Sequence, residues 1–255
     1  MCDVLLYERW CREHNKLLIM DNAATTYGVC TDGRSIHDVG DGAFISLHET
    51  KPIGRGEGGA VMVPGALVPF VKQAMSFGFN TSDVIRYGHR WCSNWKMSDI
   101  AAAAACDHLD AMEEKNWIKR WSGLSEYAVK QVPLLAPGFE VKHCPPSPYM
   151  LPCLMVTLPA HLSGIVEELC RRLNKRTPVS VEAKHYYVPL ASRNEAPVAW
   201  GIFDRCVNLP LNVDMGQADV DCEIMALRDE CKAIEEARKL ASVATASAAS
   251  NGSQA

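Results

Sequence analysis

The chain has 255 residues, which fits one large domain or two smaller ones. Hydrophobic residues make up 48% of it, so a substantial core can form. The net charge of −4 gives no electrostatic footprint for nucleic acid, and no block of like charge predicts a membrane surface. The apolar runs are too short to cross a bilayer. None of the 11 cysteines forms a C-x-x-C pair, so we expect reduced thiols in a cytoplasmic protein without the usual zinc motifs.

The first 120 residues predict alternating strands and helices. We predict a first helix that Asn15 ends as a left-handed cap, and then three parallel strands at 17–20, 43–47 and 60–63. Two helices are predicted to follow at 67–77 and 98–116, the second of them capped by Ser98. The first run, Leu17–Met20, is entirely apolar, which is typical of a buried parallel strand, and Asp21 follows it. Open α/β sheets bind ligands in crevices beyond the carboxyl ends of their strands, so Asp21 is a candidate for a site.

Composition changes in the second half of the chain. Six prolines between 133 and 152 predict a connecting region. A strand at 154–158, a helix with an apolar stripe over 162–173 and a final amphipathic helix from about Val220 are predicted to follow. Residues 241–255 are mostly Ala, Ser, Gly and Asn, which predicts disorder. The predicted organisation is an α/β part at 1–120, a smaller α+β part at 121–240 and a disordered tail at 241–255.

The densest group of residues that can carry chemistry lies at 46–59. Lys51 leaves a predicted strand there, and four glycines follow it. A buried lysine is costly unless it is paired or neutralised. A desolvated lysine loses basicity and becomes a nucleophile that can form a Schiff base. The alternative is a surface lysine at the end of a strand, and composition alone leaves both interpretations open.

The same glycines match the dinucleotide-binding pattern G-x-G-x-x-G through Gly54, Gly56 and Gly59. In a nicotinamide oxidoreductase this pattern lies between a strand and a helix. Residues 60–63 predict a strand at the position where that helix belongs, so we reject this interpretation. The pattern of a Walker phosphate loop does not occur in the sequence.

Five segments together resemble the DegT/DnrJ/StrS family of sugar aminotransferases, which have the aspartate-aminotransferase fold. The family pattern Ser-Phe-His-x-Thr-Lys is similar to residues 46–51, and its Gly-Glu-Gly-Gly is found at 56–59. The family's Tyr-Asn-Tyr/Trp-Arg-Met-Ser/Thr-Asp is similar to 93–99. Its late Tyr-x-Pro-Leu and Ser-Leu-Pro-Leu segments resemble 184–190 and 208–211. The resemblance implies an α/β fold: part of a pyridoxal phosphate (PLP) transferase large domain, then a small α+β domain.

The resemblance also implies PLP as the cofactor and a role for each matching residue. Lys51 would hold PLP as a Schiff base and move the proton between substrate and cofactor. Asp21 would face the pyridine nitrogen and keep it protonated, which makes the ring an electron sink. Ser46 would donate a hydrogen bond to the cofactor phosphate, and Thr25 stands near the position of the family's Gln or His beside the ring hydroxyl. Asn94 would reach the phosphate bound in a neighbouring subunit, which implies a homodimer. The residues alone leave open a turn aspartate, an inward-facing strand serine and a turn asparagine.

The substrate implied by the resemblance is a nucleotide-linked keto-deoxy sugar, with glutamate as the amino donor. His185, Tyr186 and Tyr187 would line the pocket for this substrate, although adjacent tyrosines on a strand are more often packing residues. Lys51 favours an aminotransferase over the dehydratases of the same family, which have histidine at that position.

The sequence departs from the family pattern in three places. The segment that follows Asp21 is one residue longer than in the family and lacks its usual Gln or His. Lys96 stands where arginine is usual. Segments resembling the first half of the family's large domain are not found before Asp21. We therefore expect a homodimer or a companion chain that supplies this half. The alternative is a truncated or split, non-catalytic fragment that acts only as a binding or oligomerisation partner.

Overall fold

The structure is a computed structural model that describes residues 3–25, 27–51, 53–78, 92–141, 150–177, 181–212 and 214–252, with side chains to 243. The chain divides into two compact units: Met1–Ser122 with Pro146–Pro152, and Gly123–Pro145 with Cys153–Ala255. Each unit contains a three-stranded sheet together with helices. The α/β class predicted from the sequence is confirmed.

The first unit contains a mixed sheet in the order β1-β2-β3. Its elements are α1 (Val4–Glu13), β1 (Ile19–Asp21), β2 (Gly42–Ser46), β3 (Gly59–Met62), α2 (Val68–Ala74), α3 (Asp99–Glu114) and the start of α4 (Trp117–Leu135). Strands β1 and β2 are parallel, as predicted, with Asp21 opposite Phe44. Strand β3 is antiparallel to β2, so the prediction of three parallel strands is wrong for the third. Residues 47–58 fold directly back without a crossover helix, and a parallel neighbour normally needs such a helix.

The two faces of this sheet differ in how they are covered. On one face Leu18 packs with Val4 and Leu5 of α1 against a buried cluster of Cys30, Ile36 and Val39. The other face exposes three large apolar side chains: Ile19 (56%), Phe44 (36%) and Val61 (53%). The prediction of a buried strand at 17–20 is therefore wrong, because β1 is an edge strand of this sheet with an open face.

Several local signals behave as the sequence predicts. Asn15 has a φ of 51° after α1, as expected for a left-handed cap. Ser98 caps α3 by accepting a hydrogen bond from the backbone N–H of Ala101 at 3.1 Å. A further helix, α4, follows α3 after a turn in which Asn116 has a φ of 51°. It includes Pro133, which we had assigned to the connecting region; most of the other prolines there lie outside the described residues.

The second unit contains an antiparallel sheet in the order β4-β5-β6. Its elements are β4 (Glu140–Val141), β5 (Cys153–Thr157), α5 (Val166–Lys175), α6 (Pro197–Phe203), β6 (Cys206–Pro210) and α7 (Gln217–Gly252). The predicted strand at 154–158 is confirmed as β5, and the stripe over 162–173 is buried, with Leu169 and Leu173 fully buried on α5. The α-helix begins only at Val166, because Leu162 ends a short 3-10 turn before it. Helix α7 buries Ile224 and Leu227 in the same way. Among the described helices none combines the length and the apolar composition needed to span a bilayer.

Helix α7 continues through most of the predicted tail. We expected disorder from residue 241, but the helix runs to Gly252, so the prediction is wrong for 241–252. Alanine has the highest helix propensity of all residues, so an alanine-rich segment can extend an existing helix without burying an apolar face. Residues 253–255 lie outside the described part of the chain.

Candidate active site

Two polar side chains lie together at the carboxyl end of the first sheet. Asp21 is the last residue of β1, and Ser46 is the last residue of β2. Because Asp21 is opposite Phe44, and Ser46 lies two residues beyond Phe44, both side chains point to the same face of the sheet. The carboxylate and the hydroxyl therefore lie at the carboxyl ends of neighbouring strands and on the same face of the sheet, in the region where open α/β sheets bind ligands.

The turn after β1 orients the carboxylate of Asp21. Its Oδ1 accepts a hydrogen bond from the backbone N–H of Ala23 at 3.0 Å, which is the turn aspartate that the residues alone left open. The second oxygen, Oδ2, makes no hydrogen bond among the described residues, and the side chain is exposed. One carboxylate oxygen thus remains free to accept a hydrogen bond from a ligand.

Asn22, which the sequence did not single out, fixes this turn. Its side chain is only 4% exposed, and its backbone N–H donates to the carbonyl of Phe44 at 2.9 Å. Its amide nitrogen Nδ2 lies 3.1 Å from Nδ1 of His37. Thr25 completes the turn with an N–H that donates to the carbonyl of Asn22 at 3.0 Å, and its hydroxyl has no hydrogen-bond partner among the described residues. In the sequence, an asparagine after a strand looks like any other turn residue. Only the burial of Asn22 in the structure reveals that it fixes this turn.

Lys51 lies in the loop 47–58 that joins β2 to β3. Its backbone N–H donates to the carbonyl of His48 at 2.8 Å, and its own carbonyl accepts from the N–H of Gly54 at 2.8 Å. The backbone N–H of Leu47 donates to the carbonyl of Gly58 at 2.9 Å and closes the loop. The Lys51 side chain is half-buried, and its amine has no ion-pair partner among the described residues. The loop therefore holds Lys51 at the junction of two turns, five residues after Ser46.

Ser46 keeps a proton available. Its hydroxyl oxygen accepts a hydrogen bond from the backbone N–H of His48 at 3.2 Å. A hydroxyl has one donor hydrogen besides its acceptor lone pairs. Ser46 can therefore still donate to an anionic group placed against this end of the sheet.

The segment 92–97 packs against the Lys51 loop. Gly58 has a φ of 144°, and a Cβ built on it would lie 2.5 Å from the sulfur of Met97, so this contact requires glycine. Asn94 forms an isolated antiparallel bridge with Ser76 at the end of α2, and its side chain is exposed. Asn94 is thus held on the surface, three residues before the methionine that contacts the loop.

The other sequence-predicted residues belong to the second unit. The ring of His185 stacks on Phe203 with centroids 3.8 Å apart, and its Nε2 lies 2.9 Å from the carbonyl oxygen of Phe203. The rings of Tyr186 and Tyr187 stack on each other at 4.8 Å, and they are 42% and 80% exposed. His185 is therefore anchored by packing, while the two tyrosines present a stacked aromatic surface to solvent.

A neighbouring cluster in the second unit was not predicted. The guanidinium of Arg193 lies 4.2 Å from the ring centroid of Trp200 and makes two hydrogen bonds to Asp204, at 2.6 and 2.9 Å. These hydrogen bonds hold the pKa of Asp204 below its usual value. The three residues span twelve positions without a recognisable motif, so no local pattern in the sequence reveals the cluster.

Two further features do not coincide with these residues. A cavity of about 280 Å³ in the first unit is lined by α1 and by the segments that lead into β1 and β2, including Glu8, Arg12, Lys16 and Asp41, and none of the predicted site residues lines it. The described residues also contain no group of three or more His, Cys, Asp and Glu side chains that could hold a metal ion. The candidate site is therefore formed by the carboxyl ends of β1 and β2 and the loop that carries Lys51.

The structure is similar to solved aminotransferases. DesI, crystallised in the presence of its TDP-sugar product, has a TM-score of 0.74 and 24% identity; the match covers 94% of this chain and 62% of DesI. 3-Amino-5-hydroxybenzoic acid synthase has a TM-score of 0.73 and 17% identity; the match covers 90% of this chain and 64% of the synthase. Helicobacter pylori PseC, an aminotransferase involved in pseudoaminic acid biosynthesis, has a TM-score of 0.71 and 15% identity; the match covers 91% of this chain and 64% of PseC. The fold is that of the PLP-dependent aminotransferases.

The chain belongs to the DegT/DnrJ/EryC1/StrS aminotransferase family, whose model matches residues 1–228. The family resemblance inferred from the five motifs is thus confirmed, and PLP is the expected cofactor. The chain spans about three fifths of the length of the solved structures it matches.

Proposed function

We propose that this chain provides the Schiff-base lysine of a PLP-dependent aminotransferase that acts on a nucleotide-linked keto-deoxy sugar, with glutamate as the amino donor. The observation that carries the proposal is the shared placement of Asp21 and Ser46 at one end of the sheet, directly before the loop that presents Lys51. Family membership supports the reaction type, because this family is defined as one of aminotransferases.

The residues present fit PLP chemically. Oδ2 of Asp21 can accept a hydrogen bond from a protonated ring nitrogen, the Ser46 hydroxyl can donate to a phosphate oxygen, and the Lys51 amine can attack an aldehyde. Thr25 and Asn94 are further proposed contacts, at the ring hydroxyl and at the phosphate held in a neighbouring subunit.

Each residue has a distinct task in the proposed reaction. PLP, when bound, supplies an aldehyde for amine exchange and a ring that withdraws electrons from the substrate carbon. Lys51 would hold the cofactor through its amine and, once that amine is free, would carry the proton between the substrate carbon and the cofactor. Asp21 keeps a positive charge on the ring nitrogen by accepting its hydrogen bond.

The nucleotide part of the substrate is assigned to the second unit. Stacked, exposed tyrosine rings offer a flat apolar surface, and aromatic side chains bind bases by stacking without needing a base-specific hydrogen bond. We assign Tyr186 and Tyr187 to the base and His185 to the support of their segment. One structurally similar protein was crystallised with a TDP-sugar product, which supports a nucleotide sugar, whereas another is named for an aromatic amino acid.

Covalent capture of PLP tests the proposed function. The protein is incubated with PLP, reduced with borohydride and digested, and the modified lysine is mapped by mass spectrometry. We expect a pyridoxyl group on Lys51 that is lost in Lys51→Ala and retained in Lys72→Ala, which removes an exposed lysine of α2. Glutamate added before reduction should then suppress the label, because its amino group replaces the amine of Lys51 on the cofactor. Label spread over surface lysines would refute the assignment of Lys51.

A second candidate function is that of a non-catalytic binding or oligomerisation partner. The exposed side chains of Ile19, Phe44 and Val61 lie on one face of the first sheet, beside the edge of β1 that pairs with no other strand among the described residues. An apolar face next to an unpaired strand edge can accept an added strand and a covering helix. We propose that a second copy of the chain, or a companion chain with the remainder of the large domain, covers this face.

The oligomeric state tests this covering. The mass of the protein in solution is measured by light scattering, alone and after co-expression with the N-terminal part of a family member. We expect a complex that Phe44→Glu weakens at least about tenfold, because a charge would have to be buried. Val243→Glu, which changes an exposed residue of α7, is the matched control. A complex unaffected by Phe44→Glu would contradict the proposed face, and a complex without label on Lys51 would favour the non-catalytic function.

A further inference from the structure

We propose that His48 is a positioning residue for Lys51: its imidazole connects the turn before Lys51 to Glu57 on the far side of the loop 47–58. We call this arrangement the His48 clasp, made by Thr50, His48 and Glu57. The proposal rests on the proposed function, since it assigns a role toward the amine that holds the cofactor.

The contacts of the His48 ring indicate which of its two nitrogens carries the proton of the neutral imidazole. The backbone N–H of Thr50 donates to Nδ1 of His48 at 3.2 Å, and the Thr50 hydroxyl oxygen lies 2.8 Å from the same nitrogen. A ring nitrogen that accepts a hydrogen bond carries no proton, so the proton of the neutral imidazole is on Nε2. Nε2 lies 3.2 Å from Oε1 of Glu57, so we infer that it donates to this carboxylate.

His48 controls the backbone immediately around Lys51. Its ring accepts from the N–H of Thr50, and its carbonyl accepts from the N–H of Lys51 at 2.8 Å. One residue thus binds two consecutive backbone N–H groups, the second of which belongs to the lysine. Glu57 precedes Gly58, whose carbonyl closes the loop through Leu47. The clasp therefore joins the Lys51 turn to the returning side of the loop.

The clasp is too exposed to contribute much to global stability. The side chains of His48 and Glu57 are 40% and 80% exposed, and pairs of this kind add little to the free energy of folding. A nucleophile, in contrast, reacts efficiently only when its bound geometry approaches that of the attack. Loss of the clasp should therefore change the reactivity of Lys51 while leaving the unfolding transition unchanged, and this difference separates positioning from structural support.

Matched substitutions can separate the two ends of the clasp. In His48→Asn the shorter amide keeps an acceptor near the position of Nδ1 and no longer reaches Glu57, whereas His48→Gln keeps the reach to Glu57 and loses the acceptor for Thr50. Amide hydrogen exchange of residues 47–55 is measured in the cofactor-free protein, and the rate of borohydride-fixed label at Lys51 is measured with PLP. His14→Ala, which removes an exposed histidine directly after α1, is the control.

We expect His48→Ala to speed exchange in this segment and to slow labelling of Lys51, each by about tenfold. His48→Asn should bring the exchange rate and the labelling rate most of the way back to their wild-type values, whereas His48→Gln should restore little of either. Glu57→Ala should change both rates less than His48→Ala does, and it should cause no further change when it is added to His48→Ala. Unchanged exchange and labelling in His48→Ala would overturn the proposal, as would faster exchange with normal labelling. Faster exchange in His48→Ala supports the clasp even if the wild-type protein takes no label on Lys51, an outcome that would refute the proposed function alone.

Discussion

Replacement of Gly54 by alanine is expected to abolish almost all covalent capture of PLP at Lys51. A Cβ at this position would overlap the carbonyl oxygen of His48 and lie 3.0 Å from the Cα of Glu49. Both are backbone atoms, so no side-chain rotation can relieve the contact. The N–H of Gly54 also donates to the carbonyl of Lys51, so the loop has to open at the lysine itself. We estimate a local cost of about 2–4 kcal/mol, which corresponds to a loss of labelling of about 30-fold or more.

Two other glycines provide controls for this prediction. A Cβ on Gly123, within α4, meets no atom within 4 Å, so Gly123→Ala should leave labelling unchanged and stabilise the helix by about 0.5–1 kcal/mol. Gly56 is in the Lys51 loop and also has open space, but its φ is 91°, so Gly56→Ala should show a smaller loss than Gly54→Ala. Wild-type labelling in Gly54→Ala would show that the packing of the loop does not position Lys51.

Replacement of Glu8 by glutamine is expected to destabilise the first unit by about 2 kcal/mol at neutral pH. The carboxylate of Glu8 is buried and accepts hydrogen bonds from Arg34 at 2.6 and 3.1 Å, from Arg12 at 2.9 Å and from the backbone N–H of Gly40 at 3.1 Å. These contacts attach α1 to the segment that leads into β2. The estimate is below that for a fully buried ion pair, because Arg34 and Arg12 keep contact with water.

The effect of Glu8→Gln should depend on pH in a defined direction. The hydrogen bond from Arg34 is the main reason that the pKa of Glu8 falls to about 2, and it outweighs burial, which raises the pKa. The folded-state pKa is therefore below the unfolded value of about 4.5. The stability contributed by the carboxylate is fully present above pH 4.5 and is lost as the pH falls towards 2.

Urea denaturation of both proteins at pH 7 and at pH 3 measures this dependence. The difference between wild type and Glu8→Gln should shrink at pH 3, because the carboxyl group of Glu8 is then mostly protonated in the unfolded chain while it stays mostly ionised in the folded protein. Glu13→Gln, which changes an exposed carboxylate on the same helix, should match the wild type at both pH values. An equal difference at pH 7 and pH 3 would contradict the assigned role of the Glu8 charge.

The sequence by itself determined the features that depend on a few neighbouring residues. Asn15 and Ser98 predicted helix ends because capping requires only the adjacent backbone groups. The stripe on α5 predicted a buried face because the helical period is local. The position of Asp21 at a strand end followed from the apolar run before it, whereas only the resemblance to the family pointed to Ser46. Lys51 and the glycines after it were recognisable because the family keeps them contiguous.

Only the tertiary structure decided the features that depend on how separate segments meet. The direction of β3 is set by the fold of the loop 47–58, and the exposure of β1 by which strands and helices cover it. The burial of Asn22 against His37 and the contact of His48 with Glu57 join residues whose spacing matches no local period. Residues 241–252 form a helix because they continue α7, so no new helix has to be nucleated. The composition of this segment alone does not show that a helix precedes it.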